Sequence, residues 1–363
     1  MEHSPNTPSA HTITPDTTSN QKSVQAVGPT TQKPMRPTEA KIYDPSPETQ
    51  RMHKEPEATT PKISVIIVTH NGRKWLDKCI GKLYGKDKHL DIIVVDNASS
   101  DSTPETIREK WPEVNLIESD QNLGFGRANN IGLKHALDSG CDYAYLLNQD
   151  AWIELHDIFR LASIHANHPD YGVLSPMQMQ ADLSTPDTNF ARCTSSENCP
   201  NYIADLSAGE KLDEVYDVNK VMAAHWLVSQ KAIRDIGGFA PIFTHYGEDY
   251  NFLDRLSFHG LKAGICPWVK AVHDRGERTD ETLHHALNRS YNSIFLPLAC
   301  DITRPASKAF IHGLRALGRE SLRQMRKYMS LRPLTTILKS FTDIGSISAT
   351  RRETKIRGPH YLQ

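Results

Sequence analysis

Five short runs of β-branched and aliphatic residues constrain this chain more than any other feature. Between them, apolar residues recur at three- and four-residue spacing, which predicts amphipathic helices. Such alternation predicts an α/β fold with a mostly parallel central sheet flanked by helices, whose ligands bind beyond the carboxyl ends of the strands. The predicted strands are 63–68, 92–95, 114–117, 143–147 and 171–175, and the predicted helices lie near 75–83, from 103, over 125–138 and near 154–167.

The flanking segments have a different composition. Residues 1–61 are rich in Pro, Thr and Ser and cannot bury enough apolar surface to offset their ordering entropy, which predicts a disordered tail. The tail is either a flexible segment without chemistry or a tether for a partner. Residues 176–218 lose the strand–helix rhythm and are interpreted as an irregular insertion, after which regular structure resumes at Val221 and continues to about residue 300.

Composition excludes several classes of protein. The chain has 42 basic and 43 acidic residues, so no global charge indicates a nucleic-acid partner. Six scattered cysteines fit a reduced, cytoplasmic protein, and Cys193 and Cys199 lack the spacing of a zinc site. No apolar run reaches the roughly 18 residues of a membrane span, and no signal peptide precedes the domain. We therefore expect a cytoplasmic chain.

Polar clusters begin where three of the apolar runs stop. They are Thr69-His70-Asn71-Gly72, the segment from Asp96 to Asp101, and Asn148-Gln149-Asp150. Singly, each could cap a helix or form a turn; Asp101 is as well placed to cap as to bind. Asp96 lies too early to cap the helix at 103. In a parallel sheet the three clusters would converge on one rim, which favours a shared binding site.

Two further clusters lie downstream. Residues 122–130 combine two glycines, Arg127 and two asparagines before a helix N-terminus, a composition that suits a polar ligand carrying phosphate. Glu248-Asp249 offers a carboxylate for general-base work, although acidic residues also favour the first turn of a helix. His273 follows an apolar stretch and could be either a structural side chain or a ligand.

The C-terminal segment, 301–363, is basic. From Ile302 onward it has 13 Lys and Arg against three Asp and Glu. Two sets of apolar residues fall at helical spacing: Phe310, Leu314 and Leu317, then Leu322, Met325 and Met329. This predicts a helical basic extension with two open interpretations. The helix either lies on an anionic membrane surface, on the inner face of the membrane, or packs on the domain with a solvated basic face.

Taken together, these motifs resemble the family-2 glycosyltransferases, which are inverting enzymes of the GT-A fold that use nucleotide-activated sugars. The resemblance runs from about Lys62 to about Arg278. The segment beginning Trp226-Leu227-Val228-Ser229 is most similar to bacterial rhamnosyltransferase-like members. The motifs are Val-Thr-His-Asn-Gly (68–72), Val-Val-Asp-Asn-Ala-Ser-Ser-Asp (94–101), Asn-Leu-Gly-Phe-Gly-Arg-Ala-Asn-Asn-Ile-Gly (122–132), Leu-Asn-Gln-Asp (147–150), and Gly-Gly-Phe, Gly-Glu-Asp and His between 237 and 273.

The resemblance implies a division of the domain. Residues 62–175 would bind the nucleotide-sugar donor, and residues 176–300 would form the acceptor side. Asp150 ends the motif that holds Mg²⁺ or Mn²⁺ against the donor diphosphate in relatives, with Asn148 in place of an aspartate, and His273 would complete the metal site. Asp249 matches the catalytic base, with Glu248 beside it, and Trp226 is expected at the acceptor. The implied donor-binding residues are Thr69, Asn71, Asp96, Arg127, Asn130 and Asn148.

The implied reaction moves a sugar from a dTDP- or UDP-sugar, rhamnose among the candidates, to a glycan or lipid-linked acceptor. A metal would neutralise the diphosphate while the base takes the acceptor proton, so no covalent nucleophile is required. Asn148 keeps open a second interpretation, an inactive sugar-nucleotide- or glycan-binding module on the same fold. A nucleotidyltransferase would need a Gly-rich basic signature directly after the first strand, where the chain has Thr-His-Asn-Gly-Arg-Lys instead.

Overall fold

A computed structural model describes residues 60–275 and 282–362. The predicted tail therefore lies, apart from residues 60 and 61, outside the described residues. The strands are β1 (Ile63–Thr69), β2 (Leu90–Asp96), β3 (Asn115–Glu118), β4 (Tyr143–Asn148), β5 (Ala151–Trp152), β6 (Tyr171–Met179), β7 (Tyr216–Asp217), β8 (His225–Ser229) and β9 (Lys262–His273). The helices of the sheet domain are α1 (Leu76–Cys79), α2 (Thr103–Lys110), α3 (Phe125–Asp138), α4 (Leu155–Asn167), α5 (Phe190–Cys193), α6 (Pro200–Ala208), α7 (Gln230–Ile236) and α8 (Glu248–Phe258).

The strands form one sheet in the order β3-β2-β1-β4-β8-β6-β9-β5, with β7 paired to β9. The first four in this order are parallel, as the strand–helix alternation predicted. β8 then runs antiparallel between β4 and β6, so the second half of the sheet is mixed. The predicted α/β fold class is confirmed. The antiparallel strand, β8, follows the insertion at 176–218, where the strand–helix alternation stops.

Two local predictions differ from the structure. The helix expected near 75–83 is only a 3-10 turn followed by the four-residue α1, since Gly81 favours helix poorly. The insertion at 176–218 is more regular than expected, because β6 continues to Met179 and α6 lies within it. α6 has a proline in its first turn and ends at Gly209 in the left-handed conformation, two signals typical of helix ends.

The sheet is buried on both faces by helices. On β1, Ile63, Val65 and Ile67 belong to one apolar cluster, whereas Ile66 belongs to the cluster on the opposite face. Successive strand residues point to opposite faces, so a continuous run of apolar residues can serve two layers at once.

The C-terminal segment packs on the sheet domain. Its helices are α9 (Leu283–Ser290), a π-helical turn (Tyr291–Phe295), α10 (Leu296–Cys300), α11 (Ala306–Tyr328), α12 (Leu334–Thr342) and α13 (Ile344–Glu353). Leu317 of α11 and Ile347 of α13 are buried in a third apolar cluster with Phe243 and Phe295. No helix among the described residues is long and apolar enough to cross a membrane.

Asn130 of α3 joins the helix to the chain that follows α7. Its amide Nδ2 donates to the carbonyl of Phe239 (2.8 Å), and its Oδ1 accepts from the Phe239 N–H (2.7 Å). A Cβ on Gly238 would lie 2.2 Å from Asn130 Oδ1, so only glycine permits this approach. Asn130, implied as a donor-binding residue, therefore satisfies a buried backbone segment of the fold.

Asn130→Ala leaves two buried backbone groups of Phe239 without partners and is expected to lower the free energy of unfolding by about 2–4 kcal/mol. Chemical denaturation measures this loss. Asn115→Ala, which removes one half-buried contact to His135, is the control and is expected to cost under about 1 kcal/mol. A folded Asn130→Ala protein with normal stability and weakened nucleotide binding would contradict the structural assignment.

Candidate functional site

A cavity of about 1260 Å³ opens at the carboxyl ends of β1, β2 and β4. This is the rim where the polar clusters were expected to converge. Three segments from beyond the first five strands complete it: residues 189–198 of the insertion, residues 219–224 before β8, and residues 244–250 at the start of α8. Its walls therefore come from both halves of the domain.

The loops after β1 and β2 are tied to one another at the sheet end of the cavity. His70 Nδ1 lies 2.9 Å from the carbonyl oxygen of Asn97, and the His70 N–H donates to Gln149 Oε1 (2.8 Å). Asn97 Nδ2 donates to Asn122 Oδ1 (3.0 Å), and Asn97 Oδ1 accepts from the Leu123 N–H (2.7 Å). This network gives the cavity a wall of fixed polar groups from the ends of four strands, β1 to β4.

Thr69 and Asp96, expected to contact the donor, are buried and bonded to each other (Oγ1 to Oδ1, 2.8 Å). The strand register makes them direct partners, because both end their strands at the same level. Asp96 also accepts from the N–H and hydroxyl of Ser99 (2.9 and 2.6 Å), so both oxygens of its carboxylate accept hydrogen bonds within the protein. Neither residue lines the cavity, and His70 and Asn97 stand there instead.

Three other predicted donor residues also lie off the main cavity. Asn71 Oδ1 accepts from the backbone N–H groups of Ser100 and Asp101 (2.8 and 3.2 Å) and so holds the loop after β2. Arg127 donates to the Pro241 carbonyl (3.0 Å) and lines a small neighbouring cleft with Asn122 and Thr244. Asn130 is buried and forms the two hydrogen bonds to the Phe239 backbone described above. The first glycine of the 122–132 motif, Gly124, has φ +81°, and a Cβ there would lie 2.3 Å from the Thr244 carbonyl oxygen.

Asn148, Asp150 and His273 meet in the cavity. β5 pairs with β9 so that Ala151 faces His273, and Asp150 Oδ1 consequently lies 3.5 Å from His273 Nε2. Burial acts to raise the pKa of Asp150, but the hydrogen bond and charge of His273 and the charge of Arg275 outweigh it and lower that pKa. Asn148 Oδ1 is enclosed and accepts no hydrogen bond from the described residues.

Asp187 lies between Arg275 and His273 and contacts both. Arg275 Nε donates to Asp187 Oδ2 (2.8 Å), and the same oxygen lies 3.9 Å from His273 Nδ1. Asp187 also accepts from the N–H groups of Asn189 and Phe190, which fixes the start of α5. The insertion is thereby tied to the end of β9.

These atoms fit a divalent cation. Carboxylate and amide oxygens suit Mg²⁺ and Mn²⁺, and imidazole is acceptable to Mn²⁺. Two ligands each about 2.1 Å from an octahedral ion lie about 3 Å apart, close to the separation of Asp150 and His273. Among the described residues no cluster of three or more His, Cys, Asp and Glu side chains could hold a metal, so the Asn148 oxygen and the bound substrate would complete the set.

Glu248 and Asp249 begin α8 at the cavity wall, after Tyr246 and Gly247 in left-handed conformations (φ 72° and 86°). Burial raises the pKa of Glu248, the charge of Asp249 adds to this, and Glu248 Oε2 has no partner among the described residues. Burial also raises the pKa of Asp249, but the Tyr250 N–H (2.8 Å) and the charges of Lys220 and Arg275 oppose it. Glu248 thus keeps its proton near neutrality more readily than Asp249, which is the available base.

The insertion side of the cavity is cationic. Lys220 Nζ lies 4.8 Å from the centre of the Tyr250 ring, and Asn198 Nδ2 donates to the Lys220 carbonyl (2.6 Å). Arg192 lines the same wall. Among the described ion pairs, neither Arg192 nor Lys220 has a carboxylate partner, so both charges are available to an anionic ligand.

Trp226, expected at the acceptor, is fully buried, stacks on Phe239 (centroids 6.2 Å apart) and does not line the cavity. Because β8 is an interior strand covered on both faces, its side chains cannot reach a ligand. The tryptophan is a core residue, and the expectation that it contacts the acceptor is corrected.

Sequence reasoning missed several cavity residues. His70 and Asn97 lay inside quoted motifs, and strand alternation could have separated them from the inward-facing Thr69 and Asp96. Arg192 and Lys220 line the cavity, and Asp187 pairs with the lining residue Arg275. All three lie in or just after the irregular insertion, where no periodicity indicates which side chains face a cavity. Their only signal was charge in a segment expected to border a ligand.

Comparison with known proteins identifies relatives. The family model described as "Glycosyl transferase family 2" matches residues 64–215. Glycosyltransferase AglE of Haloferax volcanii is 31% identical over 60% of this chain and 68% of its own length. The N-acetylglucosaminyl-diphospho-decaprenol L-rhamnosyltransferase of Mycobacterium tuberculosis is 24% identical over 65% of this chain and 84% of its own length.

A solved structure supports the fold. The mannosyltransferase PcManGT from Pyrobaculum calidifontis, in complex with GDP-Man and Mn²⁺, has a TM-score of 0.50 at 18% identity, covering 82% of this chain and 86% of that one. Together with the strand-end cavity and the sequence matches, the likeness confirms the GT-A fold. The chain belongs to glycosyl transferase family 2 and is a glycosyltransferase.

Proposed function

We propose that this enzyme transfers a sugar from a nucleoside-diphosphate donor to an acceptor hydroxyl in one displacement that inverts the anomeric centre. One observation carries the proposal. A single cavity holds a carboxylate suited to act as a base, Asp249, and a separate polar group, Asn148, Asp150 and His273, suited to a diphosphate and its counter-ion.

The bond changes balance without a covalent enzyme intermediate. The acceptor oxygen forms a bond to the anomeric carbon as its proton passes to the Asp249 carboxylate. The bond from that carbon to the diphosphate oxygen breaks, and the nucleoside diphosphate leaves with the electron pair. Glu248, held protonated beside Asp249, adds no second negative charge to the base.

Asn148, Asp150 and His273 would hold Mg²⁺ or Mn²⁺, whose charge, when bound, neutralises the diphosphate leaving group. The chain itself contributes Arg275, which carries positive charge to the same wall. His70, Asn97 and Asn122 present hydrogen-bonding groups at the sheet end, where the nucleoside would be oriented.

The donor and acceptor are proposed by similarity and charge. The Mycobacterium tuberculosis relative is named for rhamnose transfer to a diphospho-decaprenol-linked sugar, which favours rhamnose as the sugar and a glycan or lipid-linked acceptor. A relative in Shigella flexneri is named as a dTDP-rhamnosyl transferase, which favours a dTDP-sugar donor, with a UDP-sugar as the alternative. Arg192 and Lys220 support an acceptor that carries phosphate, because their charges face the cavity without a carboxylate partner among the described residues.

Asp249→Asn is expected to lower the transfer rate by about 10²–10⁴-fold, because the amide cannot take the acceptor proton. Nucleotide affinity should stay within about twofold. A panel of dTDP-, UDP- and GDP-sugars with a lipid-linked acceptor, assayed by product mass, measures the rate. Asp254→Asn, in the same helix and outside the cavity, is the control and should remain active. A variant of Asp249 that kept most of its rate would refute the assignment.

Asp150→Ala is expected to weaken nucleoside-diphosphate binding about tenfold or more in the presence of Mn²⁺, with little change in its absence. Asn148→Asp adds a negative ligand and should tighten Mn²⁺-dependent binding several-fold. Isothermal titration calorimetry with and without Mn²⁺ measures both. Equal Mn²⁺-dependent affinity in wild type and Asp150→Ala would remove this residue from the metal site.

Glu248→Gln tests the buried proton through stability. A carboxyl whose pKa is raised on folding stabilises the protein at low pH, and this contribution is lost as pH rises through the raised value. From about pH 6 to about pH 9, wild type should therefore lose on the order of 1–3 kcal/mol relative to Glu248→Gln. Urea denaturation across this range checks it, and parallel stability curves for the two proteins would contradict a raised pKa.

A further inference from the structure

Helix α12 buries polar side chains and exposes apolar ones, which is the reverse of what is usual for a helix that packs on a domain. Its small polar residues Thr336 and Ser340 are buried, at 7% and 0% exposure. Their hydroxyls donate to the helix's own carbonyls, at Pro333 (2.7 Å) and Ile337 (2.6 Å), so burial leaves neither unsatisfied. Leu334 and Leu338, on the other face, are 43% and 68% exposed.

The outward apolar face extends beyond α12. Phe341 continues the spacing of Leu334 and Leu338, and the turn that joins α11 to α12 places Leu331 at 70% and Met329 at 90% exposure. We call these five residues, Met329, Leu331, Leu334, Leu338 and Phe341, the docking face. Contiguous exposed apolar surface of this kind marks an interaction site.

Cations border the docking face. Between residues 319 and 339 the chain has six Lys and Arg and one Glu. Arg326, Lys327 and Arg332 are exposed and have no carboxylate partner among the described ion pairs. Lys339 pairs with Asp343, so its charge is partly neutralised. The remainder of the whole chain is acidic, so this positive bias is local.

The docking face is connected to the cavity through a single helical stretch. Arg289 of α9 and Ser293 of the π-helical turn both line the cavity. Between them, Tyr291 donates its hydroxyl proton to Asp343 at the end of α12 (2.7 Å), and Lys339 lies 4.2 Å from the centre of its ring. On α11, Gln324 donates to the Ala286 carbonyl (3.2 Å). The elements that present the docking face therefore pack on the wall of the cavity.

We propose that the docking face binds an anionic lipid bilayer, with Arg326, Lys327 and Arg332 at the headgroups and the apolar side chains in the acyl boundary. The apolar residues that were expected to form the membrane face are divided in the structure. Leu317 is buried and Phe310 contacts Phe295, whereas Met329 belongs to the docking face. A second copy is a poor occupant, because a two-fold interface would bring the same cations together. An anionic surface complements both features at once.

Membrane binding by the docking face does not depend on the proposed function. Only its suggested role, delivery of a lipid-linked acceptor to the cavity, rests on that function. Binding itself is measured without turnover, so failure of the two proposals is distinguishable. The full chain is floated with vesicles of phosphatidylglycerol and phosphatidylcholine and with vesicles of phosphatidylcholine alone. Binding to the anionic vesicles only, weakened by salt, is expected, since each Lys or Arg at such a surface strengthens binding by about fivefold.

Leu331→Glu/Leu338→Glu is expected to weaken anionic-vesicle binding at least about tenfold, while the urea midpoint is retained because both side chains are exposed. Leu206→Glu, the same exchange at a 53% exposed site on α6, is the control and should bind like wild type. Arg326→Glu/Arg332→Glu should weaken binding without removing apolar surface.

Two results would overturn the proposal. The first is wild-type protein that stays unbound, or that binds no better than Leu331→Glu/Leu338→Glu. The second is a wild-type dimer in light scattering that this double variant converts to monomer, which would make the docking face a contact between copies of the chain.

Discussion

The two-residue pairing of β5 with the end of β9 is the contact on which the site depends. It joins the edge strand β5 to its neighbour β9, and it places Ala151 opposite His273. Asp150 and His273 are 123 positions apart in the chain, yet their side chains lie 3.5 Å apart as a consequence. The Asp187–Arg275 pair anchors the insertion to the same strand end, so one backbone register organises both sides of the cavity.

The fold was predictable because the central parallel strands, β1 and β4, are buried on both faces and have nearly uninterrupted apolar sequences. The rim of the sheet was predictable for the same reason. Which side chains face the cavity was not. Thr69 and Asp96 stand at strand ends as expected, but the β1–β2 register makes them partners of each other. Trp226 lies on an antiparallel strand that the alternation did not predict, and its burial follows from that position.

Glu248 and Asp249 are adjacent in the chain, but their surroundings favour different protonation states, which the sequence alone could not show. Glu248 is buried and its Oε2 has no hydrogen-bond partner among the described residues, so burial favours its neutral form. Asp249 accepts a backbone N–H and faces the charges of Lys220 and Arg275, which favour its ionised form. Lys220 lies beyond the matched family segment, which ends at residue 215. The ionisation of Asp249, the proposed base, thus depends in part on Lys220, whose role no motif indicates.

In the C-terminal helices, too, the sequence pattern alone does not decide which side chains are buried. Helical spacing placed the apolar face on α11, where it serves the domain core through Leu317. The same kind of pattern in α12 has the opposite outcome, because Thr336 and Ser340 satisfy their hydroxyls within the helix and can be the buried side. Burial of a satisfied hydroxyl costs little, whereas exposing several leucines costs free energy unless something covers them. A sequence pattern indicates that a helix has two faces, and packing decides which face is exposed. For α12, Tyr291 contacts Asp343 and Lys339, and Ile337 packs against the third apolar cluster.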